Sequence, residues 1–167
     1  RIKGLGVKLI TDTNIKDRYE VFEIGMRKTL TELLKKKNLK IVFAIDVPEL
    51  GIDSGCLPQS KVIKIFGYEL KDQTKLINLK RSKKCFVKRS EYDERSKKYK
   101  NLVYKITNEF PDVYVFDPTD YFCDYKNCNG YNREFGYLYR DFDHLSQNGS
   151  KFFAKNFSDW ILEQQSN

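Results

Sequence analysis

The sequence predicts an α/β fold with a parallel sheet. Amphipathic helical patterns alternate with short apolar runs, prolines punctuate those runs, and a last amphipathic helix closes the chain. Residues 17–37 form the first helical pattern, with Tyr19, Phe22, Met26, Leu30, Leu33 and Leu34 recurring at spacings of three and four. Lys35, Lys36 and Lys37 suit its C-terminus, where the helix dipole favours cations. Residues 40–46 (Lys-Ile-Val-Phe-Ala-Ile-Asp) are almost continuously apolar up to Pro48, the pattern of a strand buried on both faces of a parallel sheet. A loop follows over 49–60, with Gly51, Gly55 and Pro58. Within 61–88, Val62, Ile63, Ile65 and Phe66 suit a strand, while the rest has no clean period.

The second helical pattern, over 90–109, runs through Tyr99, Leu102, Val103 and Ile106 to Phe110, and Pro111 stops it. Val113–Phe116 reads as a second buried strand, closed by Asp117 and Pro118. A long loop then holds Cys123 and Cys128, and 137–139 is a brief extended piece. Residues 147–164 form the last helix, with Phe153, Phe157, Trp160 and Ile161 on its inner face and Ser146 as N-cap. Ligands of parallel sheets sit beyond the carboxyl ends of the strands, so Asp46, Asp117 and the loops after them face the expected active edge.

The 167 residues suit one domain, and no repeat or low-complexity linker divides them, so 1–167 is read as a single domain. A composition that is 40% hydrophobic and 14% aromatic is that of a globular chain rather than a disordered one. No apolar run approaches the roughly 20 residues of a membrane-spanning helix. No signal peptide is visible, and the first residue is Arg1, so the chain reads as an excerpt from a longer protein. The net charge is +8, with much of the excess between Lys71 and Lys105. Nucleic acid, an anionic membrane or polysaccharide, and a plain solvated face are the three readings of it. No RNA-binding signature or zinc-finger spacing accompanies the charge, so no nucleic-acid partner is expected.

Four cysteines are present without a C-x-x-C arrangement. Cys123 and Cys128 lie five apart in a stretch rich in Asp, Asn and Gly. With one histidine in the chain, a zinc site would rest on thiolates and carboxylates almost alone, so neither a metal nor another cofactor is expected. A Cys123–Cys128 disulfide is favoured over two reduced surface thiols, and it points to an oxidising compartment. Cys56 and Cys85 are candidates for a second bridge, whose connectivity the sequence leaves open.

His144 is the lone histidine, and on count alone it would be structural. Its context says otherwise. Asp141 lies three residues earlier, and both stand on the loop entering the last helix. A carboxylate there can accept the proton on one ring nitrogen and fix the tautomer, leaving the other nitrogen to take a proton from a hydroxyl nucleophile. Asp143, next to the histidine, is expected to point elsewhere, toward solvent or the helix start.

Val113–Pro118, Cys123-Asp124, Cys128 and the run 139–146 (Tyr-Arg-Asp-Phe-Asp-His-Leu-Ser) with Gly149 together resemble the C-terminal end of an SGNH-type domain. The branch it is similar to is attached to membrane-bound acyltransferases that O-acetylate bacterial cell-surface polysaccharides. Residues 43–48 (Phe-Ala-Ile-Asp-Val-Pro) with Cys56-Leu57 match that branch's strand, Val-Pro turn and Cys-Leu pair. The resemblance covers roughly residues 17–162, and Asp141 and His144 match its Asp-x-x-His block. It implies a three-layer α/β/α sandwich of flavodoxin-like type and acyl transfer through a seryl intermediate. It further implies a membrane-embedded acyltransferase partner on the same polypeptide, a glycan acceptor such as lipopolysaccharide, and a site on the periplasmic face of the inner membrane.

The family's nucleophile, in a Gly-Asp-Ser block on the first strand, has no counterpart here, nor have the oxyanion-hole glycine and asparagine, so the resemblance implies a domain whose N-terminal strands are missing from this chain. Ile52-Asp53-Ser54-Gly55 after Gly51 resembles the block but follows the wrong strand, and a turn serine is the default for Ser54. Gly4-Leu5-Gly6 is too short for a phosphate loop. The expectation is therefore a chain that supplies the histidine and aspartate, is inactive alone, and works with a serine from elsewhere. The alternatives are a carbohydrate acetylesterase of the same architecture and a non-catalytic glycan- or protein-binding module.

Overall fold

The computed structural model describes residues 17–36, 39–51, 62–65, 68–71 and 85–166. They fall into two compact units, one made of the chain up to Ile45 with Arg95–Phe116, the other of Asp46–Glu94 with Asp117–Asn167.

In the first unit, helix α1 (Arg18–Leu34) begins at Asp17, whose carboxylate accepts the N–H groups of Tyr19 at 2.9 Å and Glu20 at 3.1 Å. Helix α2 (Arg89–Thr107) contributes its second half, and there Val103 and Ile106 are fully buried. Strands β1 (Ile41–Ala44) and β5 (Val113–Phe116) pair in parallel, from Ile41 opposite Val113 to Ala44 opposite Phe116. The ladder is extended where Ile45 N–H donates to the Phe116 carbonyl at 2.8 Å. Met26 and Leu30 of α1 meet Val103 and Ile106 of α2 over Ile45 and Val113, with Ile41 and Phe43 packed against them.

The parallel pairing agrees with the sequence; burial on both faces does not. Ile41 and Phe43 turn toward the helices, whereas Val42 and Ala44 are exposed. Successive residues of a strand point to opposite faces, and among the described residues of this unit helices cover one face. An apolar run announces a strand, and whether its second face is covered is decided elsewhere.

The second unit contains antiparallel pairs that the sequence pattern did not resolve: β2 (Val62–Ile65) with β3 (Tyr68–Lys71), and β4 (Phe86–Lys88) with β6 (Asn127–Asn129). A short hairpin joins β7 (Tyr131–Asn132) to β8 (Gly136–Tyr137), with Gly136 at φ 79°, a conformation glycine adopts without strain. One-turn helix α3 (Thr119–Phe122) stands where a loop was expected, and helix α4 (Gln147–Ser166) closes the chain. Cys123 and Cys128 are joined by a disulfide, and Cys85 is disulfide-bonded as well. Cys56 and Ser54 lie outside the described residues.

The core of this unit gathers Val47, Leu50, Val87, Tyr92, Phe122, Cys128, Leu138, Tyr139 and Phe152. Phe122 meets Phe152 edge to face at 5.1 Å and Tyr139 at 6.0 Å. Phe152, rather than the expected Phe153, is the fully inward residue of α4. Phe153, Phe157 and Trp160 are half-buried and stack along the helix at 5.9 and 6.3 Å. With two adjacent phenylalanines, periodicity fixes the apolar stripe but leaves its centre uncertain by one residue.

Candidate active site

The site is a tight loop between two anchors in the second unit. Upstream, Leu138 and Tyr139 are buried, and the Tyr139 hydroxyl donates to the Pro48 carbonyl at 2.7 Å. Burial pushes the Tyr139 phenol up, which keeps it a hydrogen-bond donor. Downstream, Ser146 Oγ accepts the Gly149 N–H at 3.0 Å as the expected N-cap of α4 and donates to the Tyr137 carbonyl at 2.7 Å. Ser146 N–H bonds the Leu138 carbonyl, and a Cβ on Gly149 would overlap that same carbonyl, so only glycine lets the first turn of α4 approach so closely.

Between the anchors the chain turns around Asp141. Its Oδ1 accepts the backbone N–H of Asp143 at 3.1 Å and of His144 at 2.7 Å, and Arg140 N–H closes the loop on the His144 carbonyl at 3.0 Å. The turn brings the His144 ring onto its capping carboxylate, with Nδ1 lying 3.1 and 3.0 Å from Asp141 Oδ1 and Oδ2. Partial desolvation raises the Asp141 carboxyl, but the N–H groups of His144 and Asp143, then the Asp143 and His144 side chains, outweigh it and lower it to about 2. Asp141 is therefore ionised at neutral pH and can only accept, so Nδ1 is the nitrogen that donates to it, and in the neutral ring the lone pair stands on Nε2. The His144 side chain is 59% exposed, and among the described residues nothing hydrogen-bonds Nε2.

Asp143 corrects the sequence reading. It does not point away: its Oδ1 lies 2.7 Å from Nδ1 of His144. That oxygen is buried and makes no hydrogen bond. Asp141, Asp143 and His144 each bring one potential ligand atom within 4.8 Å of the others. Within that cluster, Nδ1 and both Asp141 oxygens are engaged with each other.

Asp46 accepts its neighbour's N–H at Val47, and Asp117, just before α3, accepts from Thr119 N at 2.9 Å and Oγ1 at 2.5 Å. The loop after β1 reaches the site through its backbone instead, since Leu50 N–H donates to the Phe142 carbonyl at 2.8 Å. In the basic stretch the described cations largely have partners. Arg89 pairs with Asp120 at 2.6 Å, Lys105 with Glu23 at 3.1 Å, and Lys98 lies over the Tyr19 ring.

A family model described as the SGNH domain fused to AT3 domains matches residues 3–159. The chain belongs to that family. No curated relative and no solved structure matches it. Membership places this SGNH domain with the α/β esterases and acyltransferases, and the fusion to AT3 domains ties the family to acyl transfer. No described helix is long and apolar enough to cross a membrane.

Proposed function

We propose that this SGNH domain supplies the base and the orienting carboxylate of a serine-dependent O-acetyl transfer to a bacterial cell-surface glycan. The observation that carries this reading is the Nδ1 bond to Asp141 with Nε2 left open. A serine hydroxyl from a Gly-Asp-Ser block outside this chain attacks the donor's acetyl carbonyl, and Nε2 of His144 takes its proton. The tetrahedral intermediate collapses to acetyl-serine, and the leaving group recovers the proton from Nε2. A sugar hydroxyl, deprotonated by the same nitrogen, then attacks the acetyl-serine, and the serine oxygen leaves by taking that proton back from Nε2. Throughout, Asp141 holds the ring and stabilises the imidazolium.

In this reading residues 1–167 act as one domain of the three-layer α/β/α type, on the periplasmic face of the membrane. A membrane-embedded AT3 partner on the same polypeptide delivers the acetyl group. The family's fusion to AT3 domains favours transfer to a sugar over transfer to water, and the Cys123–Cys128 disulfide suits an oxidising compartment. In the enzyme that carries the serine, His144→Ala is expected to abolish acetyl-ester turnover with circular dichroism unchanged. Full turnover in that variant would overturn the assignment, and acetate release without glycan acetylation by the native enzyme would make it an esterase.

A further inference from the structure

Nδ1 of His144 faces two carboxylates, not one. Asp141 accepts from it at 3.0 and 3.1 Å, while Asp143 Oδ1 stands at 2.7 Å from the same nitrogen without a hydrogen bond of its own. A buried carboxylate oxygen with no partner is costly unless some state of the site uses it. The neighbouring nitrogen has one N–H to give, and a small rotation of the ring redirects it from Asp141 to Asp143. Both carboxylates belong to the same loop, fixed by the Asp143 and His144 N–H bonds to Asp141 and by the Leu50 bond to Phe142. Among the described residues the cation beside the cluster is Arg140, whose Nε lies 3.6 Å from Asp141 Oδ2.

We propose that Asp143 is a second positioning residue for His144, sharing its Nδ1–H with Asp141. The inference rests on the reading of His144 as the base and deepens it. In a site with one carboxylate, replacing that group by an amide lets the amide donate to the ring and reverses the tautomer. Here Asp143 accepts Nδ1–H when Asp141 cannot, so the productive tautomer outlasts the loss of either carboxylate alone.

His144 is the only histidine, so its ring gives one unambiguous spin system in a long-range proton–nitrogen spectrum of the whole chain. Asp141→Asn, whose amide oxygen still caps the loop, is expected to keep the Nδ1–H form. Asp141→Asn with Asp143→Ala is expected to switch the ring to Nε2–H. Asp143→Asn alone leaves the Asp141 cap in place and is expected to keep the Nδ1–H form, with Asp141 as its acceptor. A ring that already switches in Asp141→Asn, or one that stays Nδ1–H when Asp143 is replaced as well, would overturn the proposal. These spectra are independent of turnover. Turnover surviving His144→Ala defeats the base assignment, whereas an unresponsive ring beside an inactive His144→Ala enzyme defeats Asp143 alone.

Discussion

Asp124 and Asp141 build the same turn and put it to different ends. Asp124 Oδ1 accepts the N–H groups of Lys126 and Asn127, both at 2.7 Å, and Oδ2 accepts the Asn129 side-chain amide at 3.1 Å. Asp141 accepts the N–H groups two and three residues on in the same way, but its remaining capacity goes to an imidazole. Asn132 repeats the turn once more, accepting from Glu134 and Phe135. This is the ordinary Asx turn, in which a short polar side chain mimics a backbone acceptor. The comparison separates scaffold from chemistry. The aspartate makes the loop, and the residue it finally holds decides whether the loop can move a proton. Asn129 has nothing to transfer, whereas His144 offers Nε2.

The contrast is best broken by removing each aspartate in the serine-bearing enzyme. Asp141→Ala takes away the cap that holds the His144 loop in place, and acetyl-ester turnover is expected to fall at least about a hundredfold. Asp124→Ala is expected to stay within about twofold, since its partners are structural. Equal losses from the two would mean that Asp141 acts only as a turn residue.

A smaller effect tests the anchor downstream of the Asp141 turn. Gly149→Ala forces a methyl into the Leu138 carbonyl and is expected to cost roughly 1–3 kcal/mol in denaturant unfolding, the ordinary range for overpacking. Nothing lies within 4 Å of a Cβ built on Gly25, so Gly25→Ala is expected to be neutral or stabilising. A neutral Gly149→Ala would show that α4 is not seated against Leu138 as described.

The smallest effect is in pH. The Asp141 carboxyl is lowered in the folded chain, so its contribution is fully present above the unfolded value, near 4, and is lost as pH falls toward about 2. The N–H bonds to Lys126 and Asn127 hold Asp124 low in the same direction, mainly through Asn127. Amide exchange at Asp143 and His144 is therefore expected to stay slow at pH 4 and to rise only as pH approaches 2. Opening already at pH 4 would contradict the bonding described for Asp141.

Local features of this architecture were legible and distant ones were not. The Ser146 cap, the β5 strand and the Asp-x-x-His turn depend on residues within four positions of each other, where offsets in sequence fix geometry. The β4–β6 pairing brings Val87 opposite Cys128, and no local period announces such a partner. Asp143 was misread for a different reason. Adjacent side chains usually diverge, but the Asx turn bends the chain so sharply that residues 143 and 144 meet over one nitrogen. The exposed side of β1 eluded the sequence because its apolar run carries no record of what covers each face.

The central claim is that His144 activates a serine through Nε2. It is tested most directly by the rate at which a fluorophosphonate labels that serine, a readout that needs neither the acetyl donor nor the glycan. With His144→Ala the labelling rate is expected to fall by at least about a hundredfold, while Asp124→Ala labels as fast as the native enzyme. Labelling of His144→Ala at the native rate would contradict the account.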